Sequence, residues 1–151
     1  MSINQRDVIL RMIQQLAEVL ARVVGLRRQG RIDEAAELLK QTSDGLFGPL
    51  WATLERLEAS SAASLLGSRE KISAYASLLQ HQADLDEARG DVWKARSGFK
   101  RALELHLEAA RQGADVDAPT RAAIRALRPR VEEERLSKAY RVQLDRIAGP
   151  R

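Results

Sequence analysis

Cysteine is absent from this chain, which excludes a disulfide framework and every thiolate metal site and fits a reducing, cytoplasmic setting. Aromatic side chains are scarce, with two Trp, two Tyr and two Phe among 151 residues. The core must therefore be filled by Leu, Ala, Val and Ile, the usual filling of a helix bundle. Uninterrupted apolar runs end after a few residues, far short of the roughly 20 that span a bilayer, so no membrane span is expected. The opening Met1-Ser-Ile-Asn-Gln-Arg-Asp7 sets an acid close behind its one arginine and lacks the apolar run of a signal peptide. No phosphate-binding glycine loop, nucleophile elbow or His-Glu-x-x-His pattern occurs, so no catalytic residue, cofactor or metal is expected. At 44% hydrophobic and 30% charged residues, the composition suits one globular domain over residues 1–151. A domain of this size buries about 70% of the surface of its unfolded chain and needs no staple.

What the chain does have is helical periodicity punctuated by glycine and proline. Ser2 to Gln5 forms a capping box, in which the serine oxygen accepts an N-terminal amide while Gln5 reaches back. The helix that follows carries Ile9, Ile13, Leu16, Leu20 and Val23 on one stripe and Val8, Met12, Val19 and Leu26 on another. So wide an apolar face predicts a central helix. Arg27 and Arg28 complement the macrodipole in its last turn, Gly30 stops it, and a second helix starts with Asp33 and Glu34 in its first turn. This first hairpin spans 4–47.

Connecting helices occupy 49–66, where Pro49 opens a helix with Leu50, Trp51, Leu54 and Leu57. A short helical turn around Leu65 and Leu66 follows, bracketed by Ser60-Ser61 and Gly67-Ser68 and expected to pack as a lid. A second hairpin over 68–113 runs through Ile72, Tyr75, Leu78, Leu79, Ala83 and Leu85 to Gly90 and returns through Leu107 and Ala110 to Gly113. Residues 114–118 read as loop, and C-terminal helices fill 119–148 from Pro119 onward. At about 100° per residue, Ile124, Leu127 and Val131 lie nearly opposite Leu136, Ala139, Tyr140, Leu144 and Ile147. One straight helix cannot bury both sets. A break near Pro129 is predicted, which puts Glu132, Glu133 and Glu134 in the first turn of a final helix. The fold class is all-α, with six to seven helices arranged as antiparallel hairpins.

The same turn grammar occurs twice. Gly30 with Ala35 and Leu39 matches Gly90 with Ala95 and Phe99, five and nine residues after each glycine. A small residue facing the preceding helix lets two axes approach, while the bulky one wedges into the core. These segments resemble tetratricopeptide-repeat turns. Gly90, Ala95, Phe99, Ala102 and Leu105 match that motif best, with Ala83 as the small residue of the preceding helix. The motif glycines are 60 residues apart rather than about 34, the closing proline is missing, and Val23 stands where a small residue is usual. The resemblance implies an irregular, TPR-like arrangement and no regular array. It also implies a function in gripping other proteins, as an adaptor or small subunit of a bacterial complex that binds a protein partner or a second copy of itself. By the same analogy the first helix of the second hairpin lines the binding surface, which singles out Ser77, Gln80, Asp84 and Glu87. The opening Ile3-Asn-Gln-Arg-Asp-Val-Ile-Leu-Arg-Met-Ile13 is also similar to an uncharacterised bacterial family of small helical proteins, which implies a fold and no function.

Charge supplies the competing reading. Residues 118–151 hold nine Arg or Lys against four acids, while the rest of the chain is close to neutral. Arg121, Arg125, Arg128, Arg130, Arg135, Lys138 and Arg141 form a basic face suited to phosphates, and a nucleic-acid accessory protein is the alternative function. Against it, Arg135, Lys138 and Arg141 lie opposite the apolar stripe, where any amphipathic helix keeps its charges, and Tyr140 is the one interleaved aromatic. His81 and His106 stand nine and sixteen residues from Gly90, an offset of about 10 Å along the hairpin arms at 1.5 Å per residue. They cannot share a metal and are expected to be partly buried structural histidines. Asp84 and Asp86 lack the spacing of a calcium loop. Near a helix C-terminus their charge opposes the macrodipole, and pairing with Arg89 or water is expected.

Overall fold

The computed structural model describes residues 5–113 and 115–150, without the side chains of Gln5, Arg6 and Ile9. The capping box at Ser2, the place of Ile9 in its stripe and the loop position of Ala114 lie outside the described residues. Every regular element among them is helical. Helix α1 (Gln5–Arg28) and α2 (Ile32–Phe47) form the first hairpin, α3 (Leu50–Glu55) and α4 (Ala59–Leu66) connect, and α5 (Arg69–Ala88) and α6 (Val92–Ala110) form the second. Then come α7 (Ala118–Leu127), two 3-10 turns (Arg128–Arg130 and Glu133–Arg135) and α8 (Lys138–Ala148). The piece before Gly67 is a full helix that takes in Ser60 and Ser61, which brings the number of α-helices among the described residues to eight. It packs against α6 and buries Ala59, Ala62, Ala63 and Leu66.

Both hairpins close by the same device. At Gly30 (φ 76°) and Gly90 (φ 83°) the chain enters the left-handed region, which costs glycine nothing. In the first turn the Gly30 and Arg31 amides donate to the carbonyls of Arg27 and Leu26; in the second the Gly90 and Asp91 amides donate to those of Glu87 and Asp86. Each is a complete Schellman motif, so the carbonyls orphaned at a helix end are satisfied within the turn. Beyond it Ala35 and Ala95, Leu39 and Phe99 are all buried.

The centre of the molecule is the second hairpin, contrary to the expectation for α1. Helix α5 packs on α1, α2, α4 and α6, while α6 packs on α4, α5, α7 and α8. Among the described residues of the two stripes on α1 only Leu16 and Val23 are buried; Val8 faces solvent, and Met12, Ile13, Val19 and Leu20 are half-buried. The wide face of α1 overstates its neighbours because its N-terminal half extends past the shorter α2. Buried side chains form one cluster from Leu16 to Ala109 and another from Ala83 to Ile147, with Leu79 packed against both. In the first cluster Phe47, Trp51 and Tyr75 meet edge to face or tilted, with ring centroids 5.1–6.1 Å apart. Arg101 of α6 clamps that corner by donating to the carbonyls of Leu54 (2.6 Å) and Leu57 (2.9 Å), where α3 ends and its dipole attracts a cation.

The break at Pro129 is present, but the final helix begins later than expected. Glu133 and Glu134 belong to a separate 3-10 turn, and α8 starts at Lys138 with the Ser137 hydroxyl accepting the Tyr140 amide. Val131 and Leu136 stand on either side of that turn in extended backbone, and both reach the second cluster. The phase conflict read from the sequence is thus resolved by two short turns in place of one kink.

Candidate functional site

Trp93 is the most conspicuous side chain on the surface. It follows the N-cap of α6 by two residues and is 71% exposed, beside the half-exposed Val92. Soluble chains leave single apolar residues at the surface routinely, but a solvent-facing Trp beside a concavity is a different matter. Trp93 forms one wall of a groove of about 440 Å³, whose other wall is the Pro129–Val131 segment that joins α7 to α8. Arg96, Lys100, Arg130 and Arg135 line the groove against one carboxylate, Glu132. Arg96 lies 5.9 Å from the Trp93 ring centroid and pairs loosely with Glu132 at 3.5 Å, and Arg135 pairs with the same carboxylate at 2.7 Å. A second hollow bounded by Val92, Phe99 and Arg130 shares Arg96, Pro129 and Arg130 with the first and continues it along α6.

Arg130 holds the groove wall in place. Its guanidinium lies 4.3 Å from the Phe99 ring centroid, donates to Glu87 and stands 3.8 Å from Asp84. The two sites expected from the sequence, an acidic strip and a basic face, therefore meet each other here. Ser77, Gln80 and Asp84 are half-buried, and of the four predicted docking residues only Glu87 is exposed. The Asp84 side chain is 12% exposed; burial raises its pKa, while Arg27, His81 and Arg130 pull it back. Arg89 does not pair with these acids as expected, and instead crosses to Asp33 of α2 at 2.8 Å. The acidic strip is consequently a seam between α5 and the C-terminal segment, with little carboxylate left open to a partner.

The basic face also divides. Arg128, 8% exposed, donates to Glu133 and Asp145 (both 2.7 Å) and to the Gly149 carbonyl, and ties the first 3-10 turn to the end of α8. Arg121 donates to the Ile147 carbonyl at 3.0 Å. Tyr140 turns inward with its hydroxyl 3.4 Å from Glu108; burial first, then Glu108, raises its pKa above the ordinary tyrosine value. Arg125, Lys138 and Arg141 stay exposed, without an ion pair among the described residues. Arg128 and Tyr140 are thus turned away from a phosphate surface, Arg125, Lys138 and Arg141 remain on it, and Arg135 joins the groove beside Trp93. Sequence reasoning missed Trp93 because the residues facing it lie more than thirty positions away.

Among the described residues no group of three or more His, Asp or Glu is placed to hold a metal, and no helix is long and apolar enough to cross a membrane. Set against protein-family models, curated proteins and solved structures, the chain matches none.

Proposed function

We propose that the chain is a non-catalytic adaptor or small subunit that docks an acidic segment of a partner protein into the Trp93 groove. The observation that carries this reading is an exposed tryptophan walled by four cations and a single lining carboxylate. Trp and Arg dominate binding energy at protein interfaces, because a large ring gains most when water is excluded around it. The pairs of Arg96 and Arg135 with Glu132 are half-exposed, and such surface pairs are worth about 0–1 kcal/mol, so a partner carboxylate displaces them at little cost. The TPR-like turns fit this reading by analogy of fold alone. The absence of cysteine fits a cytoplasmic setting.

A nucleic-acid accessory role is the second reading, favoured by the same ring, since bases stack on exposed aromatics beside cations. One experiment separates the two. Wild type and Trp93→Ala are compared for retention of proteins from a lysate of the source cell and for anisotropy of a labelled mixed-sequence single strand. The adaptor reading expects a protein retained by wild type and lost at least tenfold with Trp93→Ala, at unchanged melting temperature, and negligible strand binding. Tight strand binding that falls steeply with salt and is lost with Trp93→Ala moves the function to nucleic acid. Equal retention by both variants rejects the groove as the docking site.

A further inference from the structure

On the opposite side of α6 a cleft of about 320 Å³ opens between α1, α5 and α7, independent of the Trp93 groove. Most of its exposed surface is apolar, with Leu16 and Leu20 of α1, Ala74 of α5 and Ala123 of α7 in the walls, and Ser73 and Ser77 of α5 add hydroxyls to the lining. His106 of α6 forms part of the lining and is 3% exposed. Both of its ring nitrogens are buried without a hydrogen-bond partner among the described residues. A buried polar atom left unsatisfied carries the full cost of its desolvation, and native structures keep few of them. Here the two orphaned atoms belong to one side chain, at a cleft whose size and apolar lining match those of small-molecule sites.

The charges at the rim decide what kind of molecule fits. Asp117 accepts the Thr120 amide at 2.8 Å as the N-cap of α7 and lies 3.5 Å from Arg69, so each charge already has its partner. Glu70 occupies the first turn of α5, where the macrodipole favours an acid. Burial depresses the His106 pKa to about 4, against a small opposing effect of Asp117, so the imidazole is neutral at physiological pH with one donor and one acceptor nitrogen. The rim therefore leaves no unpaired cation for an anionic ligand, and the helix terminus already favours the Glu70 carboxylate. The imidazole's polar demand is a group that both donates and accepts; both nitrogens are covered in this structure, so a ligand reaches one by rotation about χ2, a torsion that is broad for histidine.

We propose that this cleft binds a small neutral molecule with an apolar body and a hydroxyl head, the hydroxyl hydrogen-bonded to His106. The chain holds two histidines, His81 and His106, which makes imidazole NMR signals assignable with one substitution each. The probes are 4-propylphenol and propylbenzene, alike in shape and different in the hydroxyl. With 4-propylphenol the His106 ring resonances shift saturably while those of His81 stay in place, and the melting temperature rises with ligand concentration. Propylbenzene binds about tenfold more weakly, the scale of one hydrogen bond to a buried group. Ala123→Leu, which fills the cleft and leaves His106 intact, abolishes both responses, and His106→Leu equalises the two probes. If His106→Leu fails to fold, the Ala123→Leu comparison still decides. Absence of a saturable His106 shift at millimolar phenol, equal affinity for the two probes in wild type, or full binding by Ala123→Leu each overturns the proposal.

Discussion

The two hairpins share a turn down to its individual hydrogen bonds, yet one forms an edge of the molecule and the other its axis. Seven residues before and eight residues after the turn glycine, the first hairpin places Val23 and Leu38 and the second places Ala83 and Gly98. A Cβ at Gly98 would come 2.9 Å from the Cβ of Ala83, so α5 and α6 touch almost backbone to backbone. Side chains at the equivalent positions of the first hairpin preclude that approach. Helix α6 buries ten residues, including the unbroken run Leu105–Ala110, whereas α2 buries four on a single stripe. A helical segment buried on every side needs neighbours on every side, and α4, α5, α7 and α8 supply them. The turn is set locally by one glycine, while the depth of each hairpin is set by what its arms carry between turns.

The largest way to break this comparison is to give the second hairpin the first one's residue. Gly98→Leu places a Cβ 2.9 Å from the Ala83 Cβ, closer than carbon atoms pack, before the rest of the side chain is accommodated, and should cost about 3 kcal/mol or more, at the upper end for overpacking. For a chain of this length that is a fall in melting temperature of roughly 6–12 °C. At the matching position Leu38→Met should cost less than about 1.5 kcal/mol. Similar thermal melts for the two variants would show that the arms of both hairpins are equally far apart.

Ionisation sharpens the difference further, since both histidines belong to the second hairpin. Burial lowers the pKa of each, and for His106 to about 4 from the ordinary 6.5. Between these values the unfolded chain binds the proton and the folded chain does not, so stability from this group is complete above about pH 6.5 and is lost as pH falls through 6.5 toward 4. The loss is of order 2–4 kcal/mol at the acid end. Chemical denaturation from pH 7 to pH 4.5 should show this slope in wild type and a shallower one in His106→Leu; parallel curves would remove His106 as its source.

The smallest test addresses the turns themselves. Asp91 caps α6 by accepting the Lys94 amide at 3.2 Å, whereas Arg31, in the same backbone position, makes no side-chain cap to α2 and pairs instead with Glu34. Asp91→Ala should cost about 1 kcal/mol. Arg31→Ala should leave the melting temperature unchanged. Equal effects would mean that the shared backbone turn, and no cap, carries the stability of both corners.

How much was legible in the sequence follows from the range of each interaction. Local chemistry announced the all-α class, the two glycine turns and the break at Pro129, because the relevant groups lie within one or two helical turns of each other. Helix phase located the conflict around Pro129, yet it did not foresee two 3-10 turns, since their stability rests on Arg128 reaching Glu133, Asp145 and Gly149. Nor did it reveal Arg130 as the partner of Glu87 and of the Phe99 ring, which places the acidic end of the expected docking strip in an ion-paired seam at the surface.

Where helices start, stop and reverse is written in the chain itself, because caps, φ preferences and apolar spacing act between near neighbours. Packing between distant segments sets which helices are central and which charges pair, and it leaves Trp93 facing a cationic groove and His106 buried with no partner among the described residues. Those outcomes depend on side chains that meet from distant segments, and a one-dimensional pattern holds no record of which surfaces will be brought together.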